Sequence, residues 1–238
     1  MKTYLLRYWP MYLIMVIVFS VIAVTGSRAV TTIAENIPVE RSITFVIDAG
    51  HGGEDGGASS CTGVLESQLN LQIARRLDDL LHFLGYQTVM IRRSDISVYT
   101  EGKTIAEKKI SDLKERVRIV NETEGAFLIS IHQNIFADSR YSGAQVFYNQ
   151  EGDAENIAHL LQQAMVTSLN PGSNRQCKPA DGIYLMQHSK RPGILVECGF
   201  LSNPEEERKL REGEYQKHIC CVIASTLTNA ANRTLDRI

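Results

Sequence analysis

The chain has 238 residues, 44% hydrophobic and 22% charged, which is ordinary globular usage and enough for one domain with a substantial core. A formal net charge of -2 with no run of basic residues produces no field that would draw a nucleic-acid backbone, so nucleic-acid binding is excluded. The five cysteines, Cys61, Cys177, Cys198, Cys220 and Cys221, are odd in number and lack paired metal-ligand spacing, which excludes a disulfide framework and a zinc knuckle.

In chain order, Lys2 and Arg7 precede an apolar run from Met11 to Val24, and Ser27-Arg28-Ala29 then offers small residues at the positions a signal peptidase reads. Residues 1–29 are therefore expected to be an export leader, either a cleaved signal peptide or a retained membrane anchor, and 30–41 a polar connector. From residue 42 to 232 short β-rich runs alternate with segments of helical period, the pattern of an α/β domain. Ile43 to Asp48, Thr88 to Arg93, Phe127 to His132, Ala144 to Tyr148 and Ile194 to Glu197 are the expected strands. Several are almost continuously apolar, as strands covered on both faces should be.

Between them, Leu69, Ile73, Leu77, Leu80, Leu81 and Leu84 recur at helical spacing and stop at Gly85. Ile110, Leu113, Val117 and Val120 repeat the pattern, Ile157, Leu160, Leu161, Ala164 and Val166 suggest another helix, and a last one is expected from Glu214 to about Asn229. Ser94 to Lys109 has weak periodicity and reads as a surface excursion. The expected architecture is a single domain built on a mostly parallel, mixed, twisted sheet of about five or six strands, with helices on both faces and the site at the strands' carboxyl ends.

Those carboxyl ends hold the chemistry. The first strand runs into Asp48-Ala49-Gly50-His51-Gly52-Gly53, a histidine on a glycine-rich loop that lacks the spacings of a phosphate cradle. Glu66 opens the first helix, where the helix dipole also favours a carboxylate. The third strand delivers His132 and the last one Glu197, a carboxylate closing a buried run, which is costly unless something uses it. Two histidines and a carboxylate at one sheet edge match a His₂Glu catalytic zinc set, and a second carboxylate would serve as general base. Taken singly, each histidine is more often structural.

Four ordered blocks, VIDAGHGGEDGGA, Glu66 with Asn70-Leu71, LISIHQN and ILVECGFLSNPEE, resemble the zinc N-acetylmuramoyl-L-alanine amidases of the amidase-3 family. The segments SDLKERVRIVNE, YSGAQVFYN and DGIYLMQ are similar to its germination-specific branch, which trims spore cortex peptidoglycan. The resemblance implies Zn²⁺ held by His51, Glu66 and His132, with Glu197 as the catalytic base. It also implies hydrolysis of the amide between N-acetylmuramic acid and L-alanine, peptidoglycan as partner, and coupling to a deacetylase that closes muramic-δ-lactam. Export to the cell wall or the forespore intermembrane space follows from the leader together with that branch, and any activating partner protein is not named by the sequence. A general cell-wall amidase, a stem-peptide peptidase with the same ligands and an inactive peptidoglycan-binding relative are the alternatives. Asn134 and Arg116 lie in family-like blocks as candidate substrate contacts. Asn134 is divided between that role and structural support, and a helix arginine more often pairs with a carboxylate. Cys198 follows Glu197, and strand alternation points it to the opposite face, a packing position.

Overall fold

The computed structural model describes residue 15 and residues 43–235, the last three by their backbone alone. The leader expected at 1–29, apart from residue 15, and the connector at 30–41 lie outside the described residues. Among the described residues no helix is long and apolar enough to cross a membrane.

The expected strands and helices form in the expected order. They are β1 (Thr44–Ala49), α1 (Glu66–Phe83), β2 (Gln87–Met90), α2 (Ile105–Glu122), β3 (Ala126–Asn134), β4 (Gln145–Tyr148), α3 (Ala154–Ser168), β5 (Lys178–Pro179), α4 (Tyr184–His188), β6 (Gly193–Phe200), α5 (Pro204–Arg211) and α6 (Gly213–Leu235). The six strands make one sheet in the order β2-β1-β3-β6-β4-β5. β2, β1, β3 and β6 run parallel, β4 is antiparallel to β6, and β5 is parallel to β4.

Period-two alternation divides the sheet between two cores. On one side Phe45, Ile47, Ile129, Ile131, Ile194 and Val196 pack with Ile73 and Leu77 of α1, Leu161 and Met165 of α3, and Ile219 and Ile223 of α6. The alternate residues Val46, Leu128 and Leu195 face the other side, against Val120 of α2 and Leu185 and Met186 of α4. Continued to the carboxyl ends of the strands, that second face carries Asp48, Ser130, His132 and Glu197. The register sets Asp48 beside Ser130 and His132 beside Glu197. Polar groups therefore gather where the apolar layer ends.

The boundaries depart from expectation for local reasons. β2 stops at Met90, because Arg92 turns into the interior instead of continuing the strand. β3 and β6 run on to Asn134 and Phe200, with an irregularity in their pairing between His132 and Asn134. α2 begins at Ile105, inside the stretch expected to be a surface excursion. A capping box between Thr104 and Glu107 starts it, and its first turn, with the exposed Ile105 followed by Ala106 and three charged residues, lacks the apolar stripe that marks the rest of the helix from Ile110 on. The two-residue β5, the five-residue α4 and the eight-residue α5 lie outside the expected set. α5 has a legible start all the same, since the Asn203 side chain accepts from the Glu205 and Glu206 amides and Pro204 follows it.

Candidate active site

The loop after β1 is shaped by close approach. A Cβ on Gly50 would stand 2.2 Å from the His132 ring, and one on Gly57, at φ +68°, would stand 2.7 Å from both Glu66 Oε2 and His51 Cδ2. Only glycine lets the loop draw these three side chains together. His51 itself sits at φ 61°, a left-handed conformation that costs a non-glycine residue energy and persists only where its surroundings enforce it. The enforcement is visible. Arg116 donates to the carbonyls of Ala49 (3.0 Å) and His51 (2.8 Å), and Arg92 to those of Ala49 (2.8 Å) and Gly50 (3.0 Å).

His51 Nδ1 lies 2.9 Å from Asp55 Oδ2, which turns Nε2 toward Glu66 Oε2 at 3.3 Å. The other Glu66 oxygen is 2.9 Å from His132 Nδ1. One ligand atom from each of His51, Glu66 and His132 can be chosen so that all lie within 4.8 Å of one another. Donors about 2.1 Å from a common tetrahedral centre stand about 3.4 Å apart, so two imidazole nitrogens and a carboxylate at these separations fit a zinc-type ion. Asp55, behind His51, is the kind of carboxylate that fixes the orientation of a ligating imidazole.

The electrostatics separate the two glutamates. Burial alone would raise the Glu66 carboxyl, but His132 and His51 outweigh it and hold the group far below the usual carboxylate range. Burial lowers His51, yet Glu66 and Asp55 overcome this and keep it above the ordinary imidazole value. Glu197 goes the other way. Its burial, with the nearby Glu66 charge, outweighs the pull of His132 and His51 and pushes it up to about 7. Its Oε2 is buried with no hydrogen-bond partner among the described residues. A buried carboxyl poised near neutrality and lacking a partner is suited to proton transfer.

A cleft of about 370 Å³ opens on this group, walled in part by His51, Lys109, Leu113, Tyr184, Leu195 and Glu197. A larger groove of about 840 Å³ runs along α3 and residues 173–177, and none of the four site residues borders it. The four residues His51, Glu66, His132 and Glu197 thus come together. Arg116, expected as a substrate contact, reaches the cleft floor but is only 2% exposed, and it is committed beneath the loop to Asp48 at 2.5 Å and Asp112 at 2.6 Å. Asn134 does not border the cleft, and its carbonyl accepts from the Leu201 amide at 2.8 Å. His188 stacks on Tyr184 at 3.9 Å, outside the cleft wall. Cys198 is fully buried in the core on the opposite sheet face, a packing position.

Sequence reasoning missed Asp48, Asp55, Asn70 and Arg92. Asp48 closes a buried strand just as Glu197 does, so the same argument would have found it. Asp55 lies four residues from His51, a spacing that means little in a loop. Asn70 bridges Gly50 O and Glu66 Oε1, each at 3.2 Å. Arg92 carried no signal at all.

Residues 45–229 match the family model for N-acetylmuramoyl-L-alanine amidases. The germination-specific N-acetylmuramoyl-L-alanine amidase of Bacillus subtilis is 37% identical over 190 residues, covering 79% of this chain and 79% of that protein. Among solved structures, the CwlD amidase of Clostridioides difficile in complex with the GerS lipoprotein aligns with a TM-score of 0.75 at 34% identity, over 79% of this chain and 97% of that one. An N-acetylmuramoyl-L-alanine amidase of Clostridium difficile 630 aligns with a TM-score of 0.69 at 28% identity, over 80% and 97%. The fold, the ordered motifs and these likenesses agree: the chain belongs to the N-acetylmuramoyl-L-alanine amidase family.

Proposed function

We propose that this amidase is zinc-dependent, with His51, Glu66 and His132 as the ligands and Glu197 as the general base and then acid, and that it acts on spore cortex peptidoglycan. The observation that carries the reading is the unpartnered, buried Glu197 oxygen on the strand position paired with His132. Zinc at the three ligands would polarise the scissile lactyl carbonyl and lower the pKa of water to about 7. Glu197 takes the proton from the attacking water and returns it to the alanine nitrogen as the amide bond breaks. Asp55 holds His51 in the orientation that keeps Nε2 turned toward Glu66. Arg116 supports the His51 loop and leaves substrate contact to the more exposed cleft walls.

The spore role is supported by the likeness to a germination-specific amidase. The leader at 1–29 and the catalytic domain at 42–232 fit export to the cell wall or forespore intermembrane space. Coupling to a deacetylase that forms muramic-δ-lactam belongs to the same reading. A solved complex of a similar amidase with a lipoprotein supports a partner protein here as well.

The test is product analysis with metal content. Purified chain with one bound zinc should release stem peptides with free L-alanine amino ends from cortex muropeptides. Cleavage inside the stem peptide, or full activity in the metal-free protein, would overturn the assignment.

A further inference from the structure

Arg92 lies two residues beyond β2 and is 1% exposed. Its guanidinium makes no hydrogen bond or ion pair to a carboxylate among the described residues. Its partners are carbonyls: Nε donates to Ala49 O at 2.8 Å, Nη2 to Gly50 O at 3.0 Å and Ser67 O at 2.8 Å, and Nη1 to Ser94 O at 3.1 Å. A buried cation without a contacting counter-ion is costly. Burial and the Arg116 charge both oppose it here, and the more distant Asp48, Asp95 and Asp112 offset them only in part. An apolar residue would fill the space without that cost.

The chain positions of the partners explain why an arginine stands there. Ala49 and Gly50 immediately precede His51, whereas Ser67 immediately follows Glu66. One planar fork therefore ties the loop bearing the first histidine to the helix turn bearing the glutamate. We propose that Arg92 is a positioning residue that fixes the separation of His51 from Glu66 and through it the affinity of the site for zinc. The proposal rests on the zinc reading above. Lysine could not replace it, because an ammonium is a point donor without the fixed fork that spans two segments.

The experiment compares zinc affinity in the full chain and its Arg92→Lys variant, by competition with a chromogenic chelator. Visible spectra of the cobalt-loaded proteins and thermal unfolding of the EDTA-treated proteins accompany it. The expected result is a tenfold to hundredfold loss of zinc affinity, of the order that partners behind metal ligands control, with a changed cobalt spectrum in a variant that remains folded. Arg93→Ala, at an exposed neighbour paired with Asp78, should leave zinc affinity unchanged. A folded variant with wild-type zinc affinity and cobalt spectrum would overturn the proposal. If Arg92→Lys does not fold, Arg92→Gln takes its place, and failure of both to fold would assign Arg92 to the fold and overturn the positioning role. A wild-type chain that binds no zinc would sink the zinc reading itself, whereas equal binding by wild type and variant sinks only the role of Arg92.

Discussion

Replacing Glu197 with glutamine should abolish hydrolysis and, in the metal-free protein, stabilise the fold. The carboxyl titrates near 7 in the fold against 4.5 for an unperturbed glutamate, chiefly because it is buried. That difference makes its ionised form costlier in the folded state by about 3 kcal/mol. The sign follows from proton binding. A carboxyl with a raised folded-state value holds its proton more tightly when folded, so the contribution of Glu197 to stability is most favourable below pH 4.5, declines between 4.5 and 7, and carries the whole penalty above 7. Glutamine never ionises, so Glu197→Gln should exceed wild type by up to about 3 kcal/mol at pH 8 and converge with it near pH 4. Urea unfolding of EDTA-treated proteins at the two pH values measures this. With zinc restored, the variant should bind metal as wild type does and lose about 10²–10⁴-fold in turnover. A variant no more stable at pH 8 than at pH 4, relative to wild type, would refute the claim that burial strains this group. A variant that hydrolyses muropeptides within about tenfold of the wild-type rate would remove Glu197 from the chemistry.

Three further outcomes are expected. Gly50→Ala should lose zinc and activity together, because the added Cβ would stand 2.2 Å from the His132 ring; zinc titration of the folded variant checks it, and wild-type affinity would mean that the loop yields freely. Asp55→Ala should weaken zinc binding about tenfold to a hundredfold by releasing the His51 ring, and metal competition at constant pH would expose an unaltered affinity. Turnover should rise with pH as Glu197 loses its proton, with a midpoint at or below about 7 because a bound dication also favours the carboxylate; a rate that falls on raising the pH from 4 to 7 would contradict a carboxylate base.

Much of this candidate site was legible because strand alternation and strand ends are properties of short stretches of chain. His132 and Glu197 are single polar residues at the ends of apolar runs, and parallel pairing then places them side by side. The short elements were harder to see. α4 and β5 are too brief to develop a period, and the first turns of α2 are exposed, so its cap rather than its apolar face marks its start. The supporting residues were least visible of all. Arg92 acts on carbonyl groups, which every residue possesses, so neither its own type nor its neighbours' types betray the contact.

That asymmetry has a physical origin. A ligand must carry a particular side chain, and the requirement leaves a mark in the sequence; a support needs only a donor that reaches main-chain oxygen, and topology decides which residue supplies it. Here the donor comes from just past the end of β2, which lies next to β1 in the sheet and so delivers the residues that follow it to the loop that bears His51. The strand order that gathers the proposed ligands at one edge also brings the arginine proposed to fix their separation. Displacing the loop should therefore disturb the metal site before it disturbs the sheet, since the last main-chain bond from this segment to β3, from the Gly50 amide to Ile131 O at 3.0 Å, comes one residue short of His51.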